Sequence, residues 1–157
     1  MFRLTRDGEY GVRAVLHLSA NPLAFCGMRE IARAQGIPEN YLAKIMQQLA
    51  RRELVRSRRG ASGGYALARS PRHMTLRQVI EAIEGPIFLN VCLIKKGECP
   101  RDDICPVHDV WRTAQKKLLQ ALDSRTMEDL VRDGLKKARR AGKKLNGADT
   151  RQPREAG

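Results

Sequence analysis

The sequence predicts a mainly α fold, a winged helix-turn-helix with a two-stranded β-wing and a long C-terminal dimerisation helix. Three observations carry that prediction. A short helical stretch, a glycine turn and a strongly periodic second stretch follow one another through residues 28–51. Two strand-like runs then flank a turn rich in glycine and arginine at residues 58–64. Beyond this small head, Trp111, Ala114, Leu118 and Leu122 recur at helical spacing as a single stripe.

Each element has a local cause. Thr5 is a plausible N-cap for a helix over residues 7–20, in which Gly11, Val15 and Leu18 share a face with Tyr10 and Ala14 beside them. A break marked by Pro and Gly follows at residues 21–27, and Cys26 within it reads as a small apolar residue. Residues 28–34 form a short helix that turns Ile31 and Ala32 inward and stops at Gly36. Leu42, Ile45, Met46 and Leu49 then repeat at i, i+3, i+4, i+7, with Pro38 suited to a first helical turn. Opposite that stripe lie Asn40, Tyr41, Lys44, Gln47, Gln48 and Arg51, side chains that hydrogen-bond phosphates and base edges.

Residues 54–57 and 65–68 read as the strands of the wing. Ser57, Arg58, Arg59 and Gly60 stand at its tip, where arginine suits a narrow, negative minor groove. The glycines serve turn geometry and not a phosphate cradle, because no GK[ST] follows and no helix opens there. Thr75-Leu76-Arg77-Gln78 matches a capping box before Val79, Ile80 and Ile83, with Gly85 as the stop. The striped helix covers residues 109–122, and Met127, Leu130 and Val131 suggest a further short helix over residues 126–133. From Lys136 the chain is basic and punctuated by glycine, which predicts fraying or disorder. The expected organisation is a DNA-binding head over residues 1–85, a cysteine-rich loop over 86–108, a dimerisation region over 109–135 and a basic tail over 136–157.

The bulk numbers bound the function. At 157 residues one domain with appendages is expected, and a large multidomain enzyme is excluded. The net charge of +13 implies a polyanionic partner. Residues 136–157 hold eight Lys or Arg against Asp149 and Glu155, so +6 lies in the tail and the body keeps +7. No apolar run approaches the roughly 18 residues that span a bilayer, and the N-terminus lacks the uncharged stretch of a signal peptide. A cytoplasmic protein with no membrane partner is therefore expected. No Cys-x-x-Cys motif, Ser/His/Asp set or paired-carboxylate arrangement supports catalysis, so the chain is not expected to be an enzyme.

Cytoplasmic thiols are kept reduced, which turns attention to Cys92, Cys99, Cys105 and His108. Clustered in that way, the cysteines are better explained as thiolate ligands or redox sensors than as a disulfide framework. Cys-x6-Cys-x5-Cys-x2-His is also an acceptable ligand set for tetrahedral zinc. A thiol switch free of any metal is the remaining alternative.

The run Tyr41-Leu42-Ala43-Lys44-Ile45-Met46-Gln47-Gln48-Leu49, followed by Leu54-Val55, Ser57, Arg59-Gly60 and Gly63-Gly64-Tyr65-Ala66-Leu67-Ala68, closely resembles the Rrf-two family of bacterial winged-helix regulators. The resemblance extends from Arg3 to about Leu130 and includes Arg3-Leu4-Thr5 with Tyr10 and Arg13; the basic tail lies outside it. It implies a homodimer that grips a partly palindromic operator in double-stranded DNA, usually as a repressor. In the family's iron-sulfur branch, the IscR- and NsrR-like members, three cysteines before the dimer helix hold a 2Fe-2S or 4Fe-4S cluster. Cys92, Cys99 and Cys105 stand in those places, with Lys95 and Lys96 near enough in sequence to offset cluster charge. Two departures stand out: the first cysteine spacing is slightly longer than usual there, and Ala43 replaces a longer polar residue. For the fourth ligand the resemblance offers His108 or Glu9, the latter within reach of the opposite subunit's site in other members. The implied activity is transcriptional regulation in response to redox state, nitric oxide or iron status.

Overall fold

Thr5 starts the first helix because its hydroxyl oxygen accepts the Gly8 N–H, filling one orphan donor of the first turn. The computed structural model describes residues 3–143 and continues this helix, α1, over Arg6–Ala20. α2 (Met28–Gln35) and α3 (Glu39–Arg51) form the helix-turn-helix, joined through Gly36 in the left-handed region at φ 60°. The predicted stripe of α3 is the centre of the core: Leu42, Ile45, Met46 and Leu49 are all 0% exposed. α4 (Leu76–Glu84) opens with the expected capping box, Thr75 and Gln78 bonding reciprocally.

α1 lies directly against α4. A Cβ on Gly11 would stand 1.8 Å from Ile83 Cδ1, so a larger residue there requires the Ile83 side chain to move. At the same contact, the Thr5 N–H and hydroxyl donate to Glu84 Oε1 at 2.9 and 2.6 Å.

The wing pairs β1 (Val55–Arg58) with β2 (Gly64–Leu67), antiparallel, in a register that sets Ser57 opposite Tyr65 and Arg58 opposite Gly64. The strands are shifted by one residue from the spans expected. Leu54 is used instead to close α3, its N–H donating to Leu49 O, while Gly64 at φ 135° lets the ladder reach Arg58. Cys26 extends this sheet by an isolated bridge, exchanging both main-chain hydrogen bonds with Tyr65 at 2.8 Å. A Cβ on Gly64 would meet the Cys26 carbonyl oxygen at 2.3 Å. Gly64→Ala is therefore expected to destabilise the fold by about 1–3 kcal/mol, read as a lower urea midpoint with an unchanged slope.

The C-terminal third departs further from expectation. α5 (His108–Asp123) has no buried residue and packs mainly on α4, with a smaller contact to the 3-10 turn Val91–Leu93. It is not the last helix. α6 (Met127–Arg140) turns back onto α1 and seats Met127, 0% exposed, in the core of the head. The helix runs past the expected end at residue 133, and Lys136 to Arg140, assigned to a frayed tail, are helical. Two forces explain the extension. Thr126 and Asp129 cap the start, and Lys137, Arg139 and Arg140 complement the negative end of the helix dipole. Residues 109–135 thus divide between α5 and the first part of α6. The remainder of the predicted tail, 144–157, lies outside the described residues.

Candidate functional site

Burying one stripe of α3 forces the opposite face outward. Asn40, Tyr41, Lys44 and Gln47 are exposed there. Gln48 is half-buried, and its Oε1 has no hydrogen-bond partner among the described residues. Tyr41 packs edge-on against Tyr10, with ring centroids 6.3 Å apart, so its ring steadies α3 on α1.

In the wing, Ser57, Arg58, Arg59 and Gly60 are all exposed. Arg58 is braced: it donates to Ser62 O at 2.7 Å and its guanidinium sits 4.0 Å from the Phe25 ring centroid. Arg56, which the sequence reading did not single out, lies over the same ring at 5.0 Å. The only sequence signal for this arrangement was an aromatic residue in an otherwise small-residue connection.

The cysteine loop is held at both ends. The Ile87 N–H donates to Glu81 Oε1 at 3.2 Å and the Leu89 N–H to Gln115 Oε1 at 3.0 Å, fixing the start of the loop to α4 and α5. His108 begins α5 and so fixes its end. Between them lies a cleft of about 670 Å³ whose walls include Cys92, Lys95, Lys96, Asp102, Cys105, His108 and Arg112.

Donor atoms converge inside it. Cys92, Asp102 and His108 each offer one within 4.8 Å of the others. Asp102 Oδ1 faces His108 Nδ1 at 3.5 Å, and its Oδ2 accepts the Gly97 N–H at 2.9 Å. Asp102 was not foreseen, since nothing separates it by sequence from the neighbouring Asp103. Partial desolvation pushes the Cys92 thiol above its ordinary value, and the negative fields of Asp102, Cys99 and Cys105 add to the rise. All three loop cysteines are free thiols.

The donor set fits a metal centre on a specific observation. Asp102 Oδ1 and His108 Nδ1 are both buried, and neither makes a hydrogen bond among the described residues. A buried polar atom left unsatisfied costs about 1–3 kcal/mol, and coordination would satisfy it. On the walls Lys95, Lys96 and Arg112 stand beside Asp102, Asp103 and Asp109, so the lining is mixed in charge. Glu9, by contrast, is exposed on the first turn of α1 and does not line the cleft of its own chain. Arg13, four residues on, turns to Gln35 O and the Tyr10 ring.

Comparison with known proteins agrees with this architecture. The Rrf2 family profile, described as iron-dependent transcriptional regulators, matches residues 4–133. The HTH-type transcriptional regulator IscR of Xenorhabdus nematophila is 33% identical over 135 residues, covering 83% of this chain and 80% of its own. Among solved structures, IscR of T. potens matches with TM-score 0.68 and 30% identity, over 84% of this chain and 88% of that one. CymR, the global cysteine regulator of B. subtilis, matches with TM-score 0.69 and 29% identity, over 83% and 97%.

Proposed function

Because the chain belongs to the Rrf2 family of DNA-binding transcriptional regulators, whose members compared here are regulators and not enzymes, we propose that it is a homodimeric repressor governed by an iron-sulfur cluster. The cluster would be held by Cys92, Cys99, Cys105 and His108. The observation that carries this reading is the Asp102 Oδ1–His108 Nδ1 pair beside Cys92, 3.5 Å apart and without a hydrogen bond among the described residues. Likeness to IscR proteins supports it. When bound, such a cluster supplies an iron-dependent centre open to oxidation or nitric oxide. Proximity favours His108 as the fourth donor, since it faces the cleft from the same chain, and Asp102 offers a carboxylate there that Glu9 of the same chain does not.

The chain's own residues connect this site to the head. Asp123, at the far end of α5, accepts from Arg77 Nη1 at 3.0 Å and from the Thr75 hydroxyl at 3.1 Å, tying α5 to the start of α4. Val107, capping α5, and Val110 and Trp111 on it are exposed. An apolar face on a helix with no buried residue supports its use as a twofold seam between copies. Sedimentation velocity is expected to give a dimer.

For DNA, the reading assigns Asn40, Tyr41, Lys44, Gln47 and Gln48 to the major groove, and Ser57, Arg58, Arg59 and Gly60 to the wing contact. Lys44→Ala and Arg59→Ala are each expected to weaken operator binding roughly tenfold, or about 1.4 kcal/mol, with the cofactor spectrum unchanged. Gel-shift titration checks this, and wild-type affinity in both variants would remove the assigned surface.

A thiol switch without a metal is the second reading, favoured by likeness to the cysteine regulator CymR. Anaerobic purification separates the readings. Brown protein containing iron and acid-labile sulfide supports the cluster, stoichiometric zinc supports a structural Cys3His site, and metal-free protein leaves the thiol switch.

A further inference from the structure

A second group of ligating side chains lies in the head, away from the loop. His17 of α1, Cys26 of the connection and Glu30 of α2 offer an imidazole nitrogen, a thiol and a carboxylate oxygen within 4.8 Å of one another. We propose that these three residues form a site for a borderline divalent d-block cation of the zinc class, which clamps the helix-turn-helix to the wing.

The geometry is close to that of a loaded site. Zn–S near 2.3 Å and Zn–N near 2.0–2.1 Å at a tetrahedral angle place sulfur and nitrogen about 3.6 Å apart. Here His17 Nε2 and Cys26 Sγ are 3.3 Å apart, so a small outward movement of the thiol admits the ion. His17 and Cys26 are each 8% exposed, whereas Glu30 is exposed and gives the cation a route in. The imidazole is already aimed: Gln35 Nε2 lies 3.2 Å from His17 Nδ1 and holds the ring with Nε2 towards the sulfur. The Gln35 amide, turned over, presents its oxygen to an Nδ1–H, the usual support for a metal-bound histidine. Three protein ligands of mixed S, N and O type leave a fourth position for water, as suits zinc. On coordination the thiol proton is released to solvent.

The site is placed to act on DNA binding. Cys26 is bonded through its main chain to Tyr65 of β2, and adjoining Phe25 carries Arg56 and Arg58 of the wing. Glu30 belongs to the first helix of the helix-turn-helix. A cation on these ligands fixes the wing relative to α1 and α2.

The test uses the full chain with Cys92, Cys99 and Cys105 all replaced by alanine, so that its outcome is independent of any cluster. Cobalt(II) titration of this protein is expected to give a sulfur-to-metal charge-transfer band saturating at one equivalent, and zinc to compete it away and raise Tm. Adding Cys26→Ala should abolish the band, and the exposed change Glu30→Gln should weaken binding at least tenfold while leaving apo Tm unaltered. Absence of the band in folded protein, or its persistence in the Cys26→Ala variant, would overturn the proposal.

Discussion

Cys105→Ala is expected to strip iron and sulfide from the protein completely while the head stays folded. The two effects separate because the cysteines take no part in the core. The fully buried side chains come from α1, α2, α3, β2, α4, the start of α6 and Met74, and the loop adds Ile87 at its start, whereas Cys92, Cys99 and Cys105 are only partly buried. Losing one of three thiolates removes the soft donor that a weaker ligand cannot replace. Visible absorption should therefore fall to baseline, with far-UV circular dichroism and Tm near the values of the apo wild type. His108→Ala is expected to be milder, retaining some cluster, because Asp102 stands within 4.8 Å to take its place. Loss of fold together with colour in Cys105→Ala would instead make the loop a structural metal site.

Raising salt from about 50 to 200 mM should weaken operator binding by roughly 10³ to 10⁵, if the dimer neutralises some six to ten phosphates. The charge to do so is present. The chain carries +13, and Arg51, Arg52, Arg56, Arg58 and Arg59 crowd the end of α3 and the wing, all exposed. Arg56 and Arg58 are pre-positioned on Phe25, which lowers the cost of ordering them at the groove. The logarithm of affinity should fall linearly with the logarithm of salt. A slope near zero would mean that contact is not made through phosphates.

What could be read from the chain followed the range of the interaction. The stripe of α3, the Thr5 cap and the Thr75–Gln78 box each depend on neighbours within a turn or two, and each is present. The outward face of α3 followed automatically, since burying Leu42, Ile45, Met46 and Leu49 leaves Lys44 and Gln47 outside. The run around Lys136 misled because a basic stretch containing Gly134 has poor helical character alone. Packing of Met127 and Leu130 against the core overrides that weakness. Cys26 looked like a small apolar residue, as its burial confirms, yet its meeting with His17 arises only when the connection folds back beside α1. Asp102 reaches His108 through a loop whose path no local periodicity encodes.

The central claim is that the loop centre governs the grip on DNA, and it is tested most directly by measuring one affinity twice. Fluorescence anisotropy on a duplex recovered from genomic fragments bound by the protein compares anaerobically isolated dimer with the same preparation stripped by an iron chelator. At least a tenfold difference in Kd is predicted, about 1.4 kcal/mol. Superimposable binding curves from iron-loaded and iron-free protein would contradict it.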